Sequence, residues 1–357
     1  MDIQKAGDNS TQVQASVVNV YNGITEERAR AIYKEEYGKI KELTQEAEQT
    51  AIQRVCELEN RIIPKLSQID KGLNLFSNPD FQFLLIEAQK AAARSERPVD
   101  YDLLSELLIH RVKNNDDRKK KLGIKKAVEI VDGISEEALL GLTVLHSVSS
   151  FIPVTGDINE GLNVLDKLFE KIIYGELPTG NQWLDHLDLL GTIRINSFGT
   201  LKPICEYYSE VLNGYVCTGI NKESDDYQKA VRLLSETKIS NGILFDNVLN
   251  PDYVRMQIPT KESIDSMKRV FHPNITIPLS ETEKTTLKEI FSLYNNDSNL
   301  IQNVIQRFVE EWNKRESLRK LKEWWNDIPN SITITEVGKV LAHANAQRCD
   351  NTLPPLN

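Results

Sequence analysis

The feature that most constrains the fold is a long run of helix-compatible sequence between Thr25 and Pro64. Its apolar residues recur every three or four positions, near the 3.6-residue period of a straight α-helix, while Glu, Lys, Gln and Arg fill the other faces. The run predicts one amphipathic helix of about 40 residues, roughly 60 Å long. We call its apolar positions the apolar stripe: Tyr33, Tyr37, Ile40, Leu43, Ala47, Ala51, Val55, Leu58 and Ile62.

A stripe of this length needs a partner, because apolar side chains left in water forfeit the free energy of burial. The partner is either the rest of the chain or a second copy. A step of 3.6 rather than 3.5 residues disfavours a long two-stranded coiled coil. Packing onto a helical bundle, within one chain or between chains, stays open.

The segment before this helix has the pattern of a strand. Val13, Ala15 and Val17 alternate with polar residues, and Val18 and Val20 then take the opposite parity, as a bulge or a break would cause. A lone strand is unstable, so the segment is disordered, docks on a sheet edge of its own chain, or pairs between subunits. We expect exchange between subunits, because the adjoining helix also needs a partner. The predicted oligomerisation residues are Val13, Val17, Val18, Val20, Tyr33, Tyr37, Ile40 and Leu43.

The rest of the chain predicts a mainly α protein, a helical bundle with a few small β elements. Pro98 divides two helices. Ser135, followed by two glutamates, begins another, and Ser280 caps a later one. The predicted divisions are 1–24 (strand and oligomerisation segment), 25–71 (long helix), 72–150 (bundle), 151–278 (helices with β elements) and 279–357 (C-terminal helices with a short strand).

The second half of the chain gives weaker signals. LLGTIRIN, with a helix stop at Gly191, and SITITEVGKVLAHAN, with a strand from Ser331 to Thr335, resemble the edges of winged-helix modules. Gly, Asn, Asp and Pro are dense from Asn241 to Pro278, so the stretch IPTKESIDSMKRVFHPNITIPLS (258–280) is predicted to be a connection with one helix in it. The run from Ser298 predicts one long amphipathic helix that ends at Pro329.

Composition narrows the function classes. The 357 residues carry a net charge of -9, which disfavours broad attraction to nucleic acid. The four cysteines have no metal-ligand or disulfide spacing, and no metal or other cofactor is predicted. Without a secretion signal or a membrane-length apolar run, we expect a soluble cytoplasmic protein of bacterial or phage-associated origin.

Acid-base candidates are few. In WLDHLD, Asp185 and Asp188 share a helix face, but His186 lies about 100° away, so the three side chains converge poorly. His272 precedes a proline in a predicted loop, where functional residues concentrate. The remaining histidines look isolated, and His146 in particular looks like a bundle residue. Metal-protease, nucleophile-elbow and phosphate-loop motifs are absent, so catalysis is uncertain and disfavoured.

Two basic stretches have other candidate roles. Arg118, Lys119, Lys120 and Lys121 could contact phosphates, or form a solvated turn at the start of a helix. The second stretch is RESLRKLKEWW, whose cations lie close to Trp312, Trp324 and Trp325 and would suit stacking on bases or on a membrane surface. Nearby glutamates dilute this positive charge, and tryptophans at helical spacing are typical of core or interface residues, so we favour a protein interface.

Several segments together resemble a known family in layout. The opening GDNSTQVQA and the long helix look like the start of a group of mostly uncharacterised bacterial proteins. FLLIEAQKAAA, LLSELLIHRV, ISEEALLGLTVLHSV and ITEVGKVLAHAN are similar in arrangement to the Abi-alpha abortive-infection family. The resemblance implies a cytoplasmic, largely helical protein connected with phage defence, and it carries no catalytic residue across.

The leading functional hypothesis is a self-associating interaction protein, a sensor or scaffold without catalysis of its own. It would form a homo-oligomer and could also bind another protein. No membrane is expected among its partners. The alternatives are a toxin-type nuclease or hydrolase and a nucleic-acid-binding protein.

Overall fold

The computed structural model describes residues 26–69, 72–113, 117–272 and 275–356, and within them the protein is mainly α, as predicted. The helices are α1 (Glu26–Ser67), α2 (Pro79–Arg94), α3 (Pro98–Lys113), α4 (Arg118–Ile130), α5 (Glu136–Ser150), α6 (Ile158–Ile172), α7 (Gln182–Leu189), α8 (Ile204–Val211), α9 (Asp225–Glu236), α10 (Glu281–Ser292), α11 (Ser298–Asn313), α12 (Glu316–Asn326) and α13 (Glu336–Cys349). The strands are β1 (Ile193–Asn196), β2 (Ile220–Asn221), β3 (Leu244–Asp246), β4 (Tyr253–Met256), β5 (Lys268–His272), β6 (Ile275–Pro278) and β7 (Ser331–Ile334). The chain divides into two compact units, with the boundary between Gln53 and Arg54.

The long N-terminal helix forms over 42 residues, which confirms the predicted length. Within the first unit, residues 26–50 are all exposed. Pairs such as Glu26 with Arg30 (2.8 Å) support this part of the helix locally. Within the second unit, Leu58, Ile62 and Leu66 of the same helix are buried in a hydrophobic core. The apolar stripe is therefore buried only at its C-terminal end.

Helix α13 is the centre of the bundle in the second unit. It packs against α3, α4 and α5, and it is buried on nearly every side from Val340 to Ala346. A helix that is apolar or small all round is suited to such a position. Its last residues place two polar side chains, His343 and Asn345, inside the core, where each has a hydrogen-bond partner.

Local capping signals set the helix boundaries much as predicted. The Ser135 side chain accepts from the Ala138 amide at the start of α5, and Ser280 forms a complete capping box with Glu283 at the start of α10. Helix α3 begins at Pro98, at the predicted division, so that Asp100, which the sequence suggests as the cap, lies inside the first turn of the helix.

The two strand-helix junctions flagged in the sequence pair with each other. Strands β1 and β7 are antiparallel, with Ile193 opposite Ile334 and Asn196 opposite Ser331. Gly191 ends the preceding helix with φ +68°, a conformation that favours glycine. This two-stranded sheet anchors α13 at its N-terminal end, because the Thr192 carbonyl accepts from the Thr335 amide (2.9 Å).

A second, smaller hydrophobic core lies in the part of the chain between β1 and β7. It contains α9, α10 and the sheet β2-β4-β3, while β5 and β6 form a separate hairpin. The connection predicted over 258–280 does contain one helix, a short 3₁₀ helix at Glu262–Ser266, but it also forms strands β5 and β6, which the sequence did not indicate. The buried Arg255 guanidinium donates to the carbonyls of Gly214 (2.9 Å) and Gly156 (2.7 Å), tying this core to the bundle.

The predicted long helix after Ser298 is also divided. Helix α11 ends at Asn313 and α12 starts at Glu316. Arg315 leaves the helical conformation, and its guanidinium bonds to Asn163 (2.8 Å) on α6. Tertiary contacts at this arginine therefore override the helical pattern of the sequence.

Candidate functional site

Three histidines that look isolated in the sequence meet inside the bundle. His110 lies on α3, His146 on α5 and His343 on α13, and each is at most 3% exposed. The ring centroid of His343 lies 5.6 Å from that of His110 and 5.4 Å from that of His146. The prediction that they are isolated is wrong, since α13 packs between the helices that carry the other two.

Two of these histidines belong to a continuous chain of hydrogen bonds. Ser150 Oγ lies 3.2 Å from His146 Nδ1, His146 Nε2 lies 3.2 Å from His343 Nδ1, and His343 Nε2 lies 2.9 Å from the carbonyl of Pro354. We call this series the histidine relay.

The last acceptor fixes the direction of the relay. The Pro354 carbonyl can only accept, so His343 carries a proton on Nε2 and, when neutral, accepts at Nδ1. His146 then donates from Nε2, which leaves its Nδ1 to accept from the Ser150 hydroxyl. Every donor in the relay faces an acceptor as long as both imidazoles are neutral.

Burial favours the neutral imidazoles that this pattern requires. Burial, with the neighbouring His343 and Lys339, lowers the pKa of His146 to about 3. Burial and the adjacent His110 lower the pKa of His343 to about 4. Burial also lowers the pKa of His110, whose Nε2 lies 2.5 Å from Gln347 Oε1. Within the described ranges no group of histidine, cysteine, aspartate and glutamate has metal-site geometry.

The C-terminal tail closes one side of the relay. The side-chain amide of Gln347 donates from Nε2 to the backbone carbonyls of Leu353 (3.1 Å) and Pro354 (3.0 Å). The Asp350 carboxylate pairs with Lys171 (2.8 Å) on α6. These contacts hold residues 350–354 against α13 and α6.

A cavity of about 490 Å³ opens beside this tail. Ser150 lines it at the end of the relay, and Lys167 and Lys171 supply positive charge at its edge. Its remaining lining is mostly apolar: Phe151, Ile152, Pro153, Val154, Val164, Leu165, Leu168, Leu353 and Pro354. An exposed hydroxyl thus meets an apolar cavity and a buried imidazole.

The acid-base residues proposed from WLDHLD do not converge. Asp185 and Asp188 are exposed on α7, whereas His186 is half-buried and its Nε2 accepts from the Ser135 amide (3.2 Å). His186 therefore supports the start of α5, and the structure brings the three side chains into no common site.

His272 ends β5, opposite Ile275 of β6, next to a register irregularity. The surroundings of its side chain lie outside what the structure describes. The predicted oligomerisation residues Val13, Val17, Val18 and Val20 also lie outside the described residues.

The basic stretch forms the first turn of α4. The Asp117 carboxylate caps it by accepting from the amides of Lys119 (2.8 Å) and Lys120 (3.2 Å). Arg118 and Lys121 line a cleft of about 430 Å³ that also contains acidic side chains. Its mixed charge fits the solvated helix start better than a phosphate track.

The three tryptophans proposed as interface anchors are core residues instead. Trp312 is fully buried, and Trp324 and Trp325 are 7% exposed. Each indole N–H has an internal acceptor, namely the carbonyls of Leu318, Pro178 and Lys202, at 2.7, 2.8 and 2.9 Å. The helical spacing of these residues reflects packing among α6, α8, α11 and α12.

The remaining oligomerisation residues are exposed on α1. Tyr33 is 72% exposed, Tyr37 61%, Ile40 59% and Leu43 63%, and the rings of Tyr33 and Tyr37 stack with centroids 6.3 Å apart. Four large apolar side chains on one helix face exceed what scattered surface residues would give.

Comparison with known proteins gives one informative result. A protein-family model matches residues 23–353, and that family is uncharacterised. No curated protein and no solved structure is significantly similar to the chain, and nothing in these comparisons confirms the abortive-infection resemblance. None of the helices in the described ranges is long and apolar enough to cross a membrane. Because the matching model spans most of the sequence, the chain belongs to this uncharacterised family.

Proposed function

We propose that the protein is a self-associating interaction protein in which α1 of one copy pairs with α1 of a second copy. The observation that carries the proposal is the exposed face formed by Tyr33, Tyr37, Ile40 and Leu43. Each such side chain contributes about 1.5–3 kcal/mol when fully buried. The free energy gained by burying these side chains in both copies offsets an association cost of roughly 4–15 kcal/mol. We therefore expect a modest affinity between the two copies, in the micromolar range.

Charge placement supports a parallel arrangement of the two copies. Glu36 and Lys41 flank the stripe on opposite sides, one residue before Tyr37 and one after Ile40. In a parallel, in-register helix pair, a residue at one edge of the interface faces the partner residue that lies five positions later in the sequence. Glu36 of each copy therefore meets Lys41 of the other. The pairing is short, because the 3.6-residue step carries a straight helix away from its partner after a few turns.

The strand-like segment over residues 1–24 belongs to the same proposal. An exchanged strand directly before α1 would add main-chain hydrogen bonds to a short helix interface. As a sensor or scaffold in phage defence, the role implied by the abortive-infection resemblance, the protein would act through this assembly. That cellular role is tested by comparing phage survival in cells that express the wild-type protein and an assembly-deficient variant.

The assembly is tested by sedimentation equilibrium of the full-length protein over a range of concentrations. We expect the apparent molecular mass of the wild type to rise with concentration. The double variant Tyr37→Glu/Ile40→Glu should keep the mass of a monomer at every concentration. The matched control is Gln45→Glu/Gln49→Glu, which adds the same charge on the opposite helix face and should leave association unchanged. Equal masses for the wild type and the stripe variant would refute the proposal.

The parallel arrangement has its own charge-swap test. Glu36→Lys and Lys41→Glu should each weaken association, because each places like charges opposite one another. The double swap Glu36→Lys/Lys41→Glu should restore it. If the double swap associates no better than the single variants, the copies do not pair in this register.

A further inference from the structure

We propose that Ser150 is the nucleophile of a serine-hydrolase site for esters of short to medium acyl chains, with the cavity beside α5 as the acyl-binding site. The proposal is independent of self-association, since it concerns the second compact unit alone. It rests on the histidine relay and on the cavity into which the relay leads.

The nucleophile and its base are in contact. Ser150 is exposed and lines the cavity, and its hydroxyl lies 3.2 Å from Nδ1 of the buried His146. Serine needs such an adjacent base, because its hydroxyl is a weak nucleophile while protonated. The hydroxyl of the neighbouring Ser149 instead donates to the backbone carbonyl of His146 (3.0 Å).

The base is held by a second histidine. His343 accepts from His146 Nε2 and is itself fixed by the Pro354 carbonyl, so the Nδ1 lone pair of His146 is directed at Ser150. His343 is thus a positioning residue. Ser150 is also the last residue of α5, and the partial negative charge at a helix C-terminus favours a cationic imidazole at His146, one turn earlier.

The cavity defines the class of substrate. Its volume of about 490 Å³ falls within the range of small-molecule sites, and Ile152, Leu165 and Leu168 line it with hydrocarbon. Such a lining favours an aliphatic acyl chain over a polar one.

We assign the developing oxyanion to two backbone donors of the cavity lining. The amides of Ile152 and Val154 donate to no acceptor among the described residues, and both residues line the cavity. Backbone N–H groups close to a nucleophile are the usual oxyanion donors in acyl transfer.

The reaction proceeds in two balanced steps. Ser150 Oγ attacks the ester carbonyl carbon, and the hydroxyl proton passes to His146 Nδ1. The tetrahedral intermediate expels the alcohol, which takes the proton from His146, and the acyl group stays on Ser150. Water then attacks the acyl-enzyme with His146 again as base, which releases the carboxylic acid and restores the serine hydroxyl.

Burial makes His146 a weak base, since its pKa is lowered to about 3. Proton transfer to such a base is slow, so turnover requires a good leaving group. We therefore expect measurable hydrolysis of p-nitrophenyl esters and little hydrolysis of unactivated alkyl esters.

The test combines p-nitrophenyl hexanoate hydrolysis with labelling by a fluorophosphonate probe. We expect the wild type to hydrolyse the ester faster than buffer and to carry the probe on Ser150, located by peptide mass spectrometry. Ser150→Ala should lose at least about 100-fold in kcat/KM, within the range of general-base effects. Ser149→Ala is the matched control and should keep full activity.

Two further comparisons separate catalysis from structure. His343→Gln should lower kcat and leave the KM for p-nitrophenyl hexanoate unchanged. A variant that damaged the cavity would change KM instead. The hexanoyl ester should exceed the acetyl ester in kcat/KM if the cavity holds the acyl chain. The proposal is overturned by a wild-type rate equal to buffer, by activity retained in Ser150→Ala, by a probe adduct elsewhere, or by equal rates for the two esters.

Discussion

Nε2 of His146 lies 3.2 Å from Nδ1 of His343, although 197 residues separate the two histidines in the chain. The contact joins α5 to α13 in the centre of the bundle. Protonation of His343 at Nδ1 would set two N–H groups against each other along this line, because His146 Nε2 already donates there. Burial keeps both imidazoles neutral at neutral pH, and the remaining position at which His146 can take a proton is Nδ1, which faces the Ser150 hydroxyl.

The first prediction is a loss of stability in acid. Unfolded histidines have pKa values of about 6.5, whereas burial in the folded protein lowers the pKa of His146 to about 3 and that of His343 to about 4. Between about pH 6.5 and pH 4 the unfolded state binds more protons, so the free energy of unfolding falls as the pH falls. Urea unfolding at pH 7 and pH 5 measures the difference, expected to be on the order of several kcal/mol.

A histidine variant checks the origin of this effect. His146→Gln removes one of the titrating groups, so its unfolding free energy should depend less steeply on pH over the same window. An unchanged pH slope would mean that other groups cause the acid sensitivity.

The second prediction concerns the entry of α13 into the bundle. A Cβ atom at Gly338 would lie 2.0 Å from the Thr192 carbonyl oxygen, which belongs to the backbone and cannot move aside. Gly338→Ala should therefore cost on the order of 3 kcal/mol in unfolding free energy. Gly133→Ala is the control, because its Cβ would meet its nearest neighbour at 3.6 Å; similar losses in both would contradict this explanation.

The third prediction tests whether Trp312 belongs to the core. Trp312→Phe removes buried volume and leaves the Leu318 carbonyl without its 2.7 Å donor. We expect a loss of about 2–3 kcal/mol by chemical denaturation, from the smaller side chain and the unmet acceptor. Phe198→Ala, at a fully exposed aromatic residue, should leave stability nearly unchanged. If Trp312→Phe changed self-association and left the unfolding free energy unchanged, Trp312 would be an interface residue instead of a core residue.

The fourth prediction separates His186 from its acidic neighbours. His186→Ala removes the acceptor of the Ser135 amide and should lower stability by about 1 kcal/mol. Asp188→Ala, at an exposed position, should change it by less than about 0.5 kcal/mol. Thermal unfolding measures both variants, and we expect a larger drop in unfolding temperature for His186→Ala than for Asp188→Ala. Equal drops would show that the hydrogen bond from Ser135 to His186 contributes little to stability.

Local signals in the sequence were sufficient for much of the helical architecture. Ser135 and Ser280 mark helix starts, Gly191 marks a helix end, and the stripe marks the long α1, because each signal acts within one or two turns of chain. The same rules failed at Arg315, where a contact with another helix ends the helical run.

The candidate site could not be predicted in this way, because its parts are distant in the sequence. Ser150 and His146 are four residues apart on α5, a spacing that places them on one face. His343 and Pro354 join them only through the packing of α13 and the tail. Nothing near His343 in the sequence indicates that partner, so the histidines look like separate core residues.

The central position of α13 also has a consequence for how the protein is made. Helix α5 ends at Ser150, but α13, which covers it, ends at Cys349. At translation rates of about 5–20 residues per second, roughly 10–40 s pass between the synthesis of the two. During that time the inner faces of α3, α4 and α5 lack the helix that covers them. The nascent chain on the ribosome, rather than the finished protein, is therefore the state most exposed to aggregation and most in need of a chaperone.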